Sequence, residues 1–159
     1  MRPVCIIFGL WLLFPGLPVN EIHLSHTLYE AMLAHLTSCL PEEACGLVSG
    51  TVAGGHCQAV RLFPIENRLH SPVAYEMEPL QQIQAMIAIE NEGMEIAAIY
   101  HSHPDGPARP SWTDVTQAYY PDAATIIVSL ADRDRPSMNA FMIQEGRVRE
   151  IAVIIDVGR

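Results

Sequence analysis

Apolar and polar residues alternate over residues 21–24 (EIHL), the two-residue period of a half-buried strand. The period then lengthens. Ser25 is placed to cap a helix carrying Leu28, Met32, Leu33 and Leu36 at spacings of three and four, and Leu40-Pro41 sets its end. An apolar run punctuated by glycines, residues 44–52, predicts a buried strand. The Ala53-Gly54-Gly55 turn joins it to a second strand over 56–65, giving a hairpin. Residues 67–79 are irregular, with a short extended piece at 74–77. Pro79 suits the first turn of a helix reaching about Glu92, whose apolar face is Ile83, Met86, Ile87 and Ile89. A buried strand over 94–103 leads into the Gly/Pro-rich loop 105–110, and Ser111 opens a short helix to about Ala118. Strands are predicted over 124–130, 139–144 and 147–155, the last two joined by a tight Glu145-Gly146 turn.

Five to seven strands and three helices without regular βαβ alternation predict one α+β or mixed-sheet domain. A length of 159 residues accords with one domain, able to bury roughly two thirds of its unfolded surface. With half the residues apolar and 17% charged, the composition is that of a folded chain. An eleven-residue apolar run over 4–14, behind Arg2, is too short to span a bilayer. It has the proportions of an export signal but no small-residue cleavage site after it. The reading adopted is an extension from too early a start codon, residues 1–19, ahead of a domain over 20–159.

The net charge of −9, with nine arginines and no lysine, argues against nucleic acid or anionic membrane as a partner. Cys5, Cys39, Cys45 and Cys57 form no C-x-x-C pair, so reduced thiols and a cytoplasmic location are expected. Cys45 is read as a small apolar filler, with metal ligation as the alternative.

The chemistry is concentrated in residues 101–114, HSHPDGPARPSWTD. In a strand, residues two apart face the same side, so His101 and His103 present both imidazoles to one pocket while Ser102 turns away. Asp114, on a helix turn beyond a stiff loop, can supply a carboxylate, and zinc accepts that donor set. Taken singly, Asp114 reads equally well as an acid complementing a helix dipole, and Ser111 as its N-cap. His23, His26, His35, His56 and His70 lack ligand spacing and read as surface groups. His70, beside a Ser-Pro turn, is the one to watch. Trp112 walls a groove or simply packs, and Met77, Met86 and Met94 fit core or groove alike.

The whole string, His-Ser-His, seven residues, Ser, two residues, Asp, resembles the signature of the JAMM (MPN+, Mov34/PAD-type) metallopeptidases. Residues 41–50, PEEACGLVSG, supply the upstream glutamate of that family as Glu43 in an E-x-x-G context, with Glu42 as the adjacent alternative. The likeness spans residues 21–155 and is to short prokaryotic members. It implies a cytidine-deaminase-like fold, a mixed curved sheet flanked by helices. It implies one zinc per chain on His101, His103 and Asp114, with Glu43 moving the proton of the attacking water and Ser111 binding the oxyanion. It also implies hydrolysis, without a covalent intermediate, of the amide after the C-terminal Gly-Gly of a ubiquitin-like, ThiS/MoaD-type sulfur-carrier protein. Alternatives are an isopeptidase on lysine conjugates, a cell-wall or phage-tail peptidase, and a noncatalytic MPN scaffold.

Overall fold

The computed structural model describes residues 19–157. Its elements run β1 (Glu21–Ser25), α1 (His26–Ser38), β2 (Cys45–Ala53), β3 (His56–Ile65), α2 (Pro79–Asn91), β4 (Glu95–His103), α3 (Trp112–Thr116), β5 (Ala124–Ser129), β6 (Ser137–Gln144) and β7 (Arg147–Asp156). Ser25 does cap α1, its side chain accepting from the Leu28 amide. Pro79 opens α2, and Glu78 accepts from the amides of Leu80 and Gln81. Gly54, Gly55 and Gly146 take positive φ in the two hairpin turns, where a side chain would be strained.

The seven strands form one sheet in the order β1-β3-β2-β4-β5-β6-β7, closed into a barrel by pairing of β7 with β1. The pairs β1–β3, β1–β7 and β4–β5 are parallel and the others antiparallel. Strict alternation sorts the side chains. Ile22, Leu24, Val48, Tyr100, Ile126, Val128 and Ala140 face a large core with Met32 and Leu36 of α1. On the other face, Ala85 and Ile89 of α2 cover Leu47 and Ile65, and Val115 of α3 reaches Ile127, Phe141 and Ile143. Strands β2 and β4 are therefore covered on both faces, which is why residues 44–48 and 96–100 read as nearly continuous apolar runs.

A curved mixed sheet was expected, and closure goes one step further. It depends on β1 entering between β3 and β7, a long-range pairing that no local pattern encodes. Smaller departures have local causes. Helix α1 stops at Ser38, since Pro41 has no amide to donate and keeps its predecessor out of helical geometry. Residues 74–77 form only one isolated bridge, Met77 to Asn67. Helix α3 is shorter than expected, and β6 begins at Ser137. The apolar run over 4–14 lies outside the described residues. Val19, grouped with it above, is buried in the main core.

Candidate metal centre

Strand β4 ends at the mouth of the barrel and carries His101 and His103 on the face away from Tyr100. His101 is fully buried and His103 nearly so. Their Nε2 atoms lie 3.2 Å apart. Asp114 returns from α3 to complete the group, Oδ1 at 3.3 Å from His101 Nε2 and Oδ2 at 3.5 Å from His103 Nε2. Zinc bonds of about 2.0–2.1 Å place tetrahedral ligand atoms about 3.3–3.4 Å from one another. The three donors already have that spacing. His103 Nδ1 bonds the Pro107 carbonyl at 2.8 Å, so the neutral ring turns a bare Nε2 toward the cluster. His101 Nδ1 is buried without a partner, leaving Nε2 as that ring's one polar contact. The donor set and its spacing fit a divalent metal ion.

The loop between His103 and Asp114 is pinned at several points. Ser129 Oγ donates to the Gly106 carbonyl at 2.6 Å, and Asn139 Nδ2 to that of Ala108 at 3.1 Å. Ser111 and Asp114 form a capping box. The Ser111 amide donates to Asp114 Oδ2 at 2.6 Å, while Ser111 Oγ accepts from the Asp114 amide at 3.2 Å. The cap reading is thus correct, and it fixes the rotamer that turns the carboxylate toward both histidines.

Glu43 is buried just ahead of β2. Its amide donates to the Ser71 carbonyl at 2.8 Å and its own carbonyl accepts from Asn67 Nδ2 at 2.9 Å. The next residue is held by Ser102, whose Oγ accepts from the Ala44 amide at 2.9 Å. Ser102, facing away from the imidazoles as expected, thereby locks the Glu43 loop to the histidine strand. Gly46 follows because a Cβ there would lie 2.4 Å from the Phe63 carbonyl and 2.6 Å from the Tyr100 ring. Glu42 turns outward to His70, 3.1 Å away.

Burial pushes the Glu43 carboxyl up to about 7; nearby Asp114 adds to the rise and His103 opposes it. Burial would also raise Asp114, but hydrogen bonds with His101 and His103 outweigh it and hold that carboxyl far below the usual range. His101 is lowered by burial, against the pull of Asp114. Burial works against the cation at His103 too, yet Asp114 and the Pro107 carbonyl raise it. One carboxyl is thus kept ionised and its neighbour poised to take and give a proton near neutrality.

A cavity of about 250 Å³ opens beside these groups, walled by Glu43, residues 73–77, Gln82, Ser111, Asp114 and residues 117–120. Tyr75 lies against the His101 ring at 4.7 Å between centroids. Trp112 is 81% exposed and lines neither core nor cavity. Cys45 is buried between Leu47 and Ile65, its thiol pushed up to about 12 by burial, which is the filler role. His70 is a surface group, as are His26 and its neighbour Glu30. His35 instead reaches inward to the Tyr100 hydroxyl at 3.0 Å. Sequence reasoning missed Asn67, Tyr75 and a second cluster, Glu21, His23 and His56. For that cluster the i, i+2 pair Glu21/His23 on an alternating strand was the available signal, and His56 arrives only through strand register.

A mixed barrel gathering two imidazoles and a carboxylate, beside a carboxyl poised near neutrality, is the framework of a metal-dependent acid–base domain. The chain belongs to the prokaryotic homologs of the JAB domain, whose family model matches residues 25–144. It is 36% identical over 123 residues to the CysO-cysteine peptidase of Mycobacterium tuberculosis, spanning 77% of this chain and 83% of that one. It is 33% identical over 135 residues to a probable TtuB-protein conjugate cleaving protease of Thermus thermophilus, covering 84% and 82% of the two chains. The solution structure of protein DSY2949 from Desulfitobacterium hafniense superposes with a TM-score of 0.79 at 35% identity, over 86% of this chain and 94% of that one.

Proposed function

We propose that the chain is a zinc peptidase that hydrolyses the amide bond after the C-terminal Gly-Gly of a ubiquitin-like, sulfur-carrier-type protein. The observation that carries the reading is the convergence of His101, His103 and Asp114 at 3.2–3.5 Å beside buried Glu43. His101, His103 and Asp114 would hold the zinc, which would supply Lewis acidity and lower the pKa of a water enough for hydroxide to be available at neutral pH. Glu43 takes the proton and returns it to the leaving amine, a task its raised pKa suits. Ser111 accepts from the Asp114 amide, so its hydroxyl hydrogen is available to the oxyanion. A Gly-Gly tail, lacking side chains, suits a cleft between residues 73–77 and 117–120. The names of the mycobacterial and Thermus relatives support a carrier or conjugate as substrate. The Thermus name also favours a second reading, cleavage of lysine-linked conjugates of such a modifier.

Two finer points belong to the same proposal. The sheet is a cytidine-deaminase-like variant, supported by the parallel β4–β5 pair that delivers the histidines at its open end. The location is cytoplasmic, supported by free thiols at Cys39, Cys45 and Cys57. Among the described residues, no helix is long and apolar enough to cross a membrane.

The test is to incubate the protein, with and without a chelator, with a sulfur-carrier protein extended by one cysteine after its Gly-Gly, and to weigh the carrier. Chelator-sensitive loss of the cysteine is expected. An unchanged mass with zinc bound moves the substrate to lysine isopeptides. Absence of metal returns the chain to the scaffold class. Glu43→Gln should keep zinc and lose turnover, whereas His103→Ala and Asp114→Ala should lose both.

A further inference from the structure

Strand β1 alternates strictly. Ile22 and Leu24 are fully buried, so Glu21 and His23 stand together on the outside of the barrel. Parallel pairing with β3 sets His56 directly beside Glu21. Glu21 Oε1 lies 2.8 Å from His23 Nε2 and 2.5 Å from His56 Nδ1, and one donor atom from each residue falls within 4.8 Å of the others. Asp156, from β7, faces the remaining nitrogen of His23, Nδ1, at 3.5 Å. That carboxylate is where an orienting partner of a metal-bound imidazole belongs.

We propose that Glu21, His23 and His56 form a second divalent-metal site, for zinc or a similar borderline ion, which clasps β3, β1 and β7 where the barrel closes. Two imidazoles and one carboxylate are a ligand set that zinc accepts. On binding, the proton of His23 moves from Nε2 to Nδ1, which donates a hydrogen bond to Asp156, and His56 shifts its own from Nδ1 to Nε2. Both rings stay neutral and each presents a lone pair to the metal. The exposed ring of His56 gives the site freedom to open from hydrogen-bond to coordination spacing. Thr51, Ala53 and Gln58 border the cluster, which places it at the far end of β2 from Glu43. At about 3.3 Å per residue, the span from Cys45 to Ala53 is about 26 Å, too far to touch the reacting bond. The site is structural, and fastens the one part of the sheet built from two parallel pairs on a five-residue strand.

The experiment is a zinc titration of the chelator-stripped full chain, followed by desalting and metal analysis, on wild type, His56→Ala, Asp114→Ala and the double variant. Expected contents are two, one, one and no zinc per chain. Zinc should raise the melting temperature of Asp114→Ala through its single equivalent and leave the double variant unchanged, and the rise in wild type should exceed that in His56→Ala. Zinc content in His56→Ala equal to that of wild type, whether one or two per chain, overturns the proposal. If His56→Ala does not fold, Glu21→Gln serves as the second variant. A loss confined to His56→Ala, with Asp114→Ala unchanged from wild type, would sustain this site and refute the metal assignment at His101, His103 and Asp114.

Discussion

Replacing Glu43 by Gln should make the metal-free protein more stable while abolishing turnover. In the folded chain the carboxyl sits at about 7 because it is buried, against an ordinary value of 4.5. Between those values the native state binds more protons than the unfolded one, so stability falls as pH rises through that window. The penalty is absent well below 4.5 and complete above 7. Gln has nearly the same shape and no charge, so it escapes the penalty. At about 1.4 kcal/mol per pH unit, the variant should gain about 1 kcal/mol at pH 5 and about 3 kcal/mol at pH 8. Urea unfolding of chelator-stripped wild type and variant at both pH values measures the difference; contributions from groups that do not feel the Glu43 charge cancel, and His103, which that charge helps to raise, accounts for a smaller remainder. An equal gain at both pH values, or a loss at pH 8, would refute the claim that burial raises this carboxyl.

Gly46→Ala should cost about 1–3 kcal/mol by urea unfolding, since the added methyl meets the Phe63 carbonyl and the Tyr100 ring and neither can retreat without moving β3 or β4. Asn67→Ala should cost about 3 kcal/mol and lower kcat at unchanged zinc content. Its Nδ2 holds the carbonyls of Glu43 and Ala74, and its Oδ1 accepts from the amides of Leu69 and Glu76. Ser111→Ala should lower kcat by about 10²–10³-fold with KM little changed, and cost about 1 kcal/mol of stability through the lost cap. Full kcat in the Ser111→Ala enzyme would remove the oxyanion role and leave only the cap.

What the sequence disclosed follows from the range of the interactions involved. Helix α2 and the β2–β3 hairpin are set by local signals, Pro79 and the Ala53-Gly54-Gly55 turn, and both lie where the pattern predicts. The group His101, His103 and Asp114 was legible because two members share a strand face and the third follows after a short stiff loop. Asn67 carried no such signal. Its four hydrogen bonds go to backbone groups, which every residue type possesses, so nothing at its partners marks them in the sequence. His23 and His56 stayed apart for a related reason. They are distant in sequence and meet through the parallel register of β1 and β3, which is fixed only when the barrel closes.

Asp114 and Ser111 show why the plain and the chemical readings of a residue need not compete. As an N-cap pair they use Ser111 Oγ as acceptor and Asp114 Oδ2 as the return acceptor. Asp114 Oδ1 is left for His101, and the Ser111 hydroxyl hydrogen is not used by the cap. On the proposed function, the cap would fix in advance the rotamers of a metal ligand and an oxyanion donor within a single turn of helix. That also explains why five residues of helix suffice at α3. Its purpose in the fold is met once Ser111 and Asp114 are locked together, and Val115 has seated that turn on Ile127, Phe141 and Ile143. A substitution that broke the cap while keeping the carboxylate would leave His101, His103 and Asp114 all present, yet Asp114 would be free to turn from both histidines.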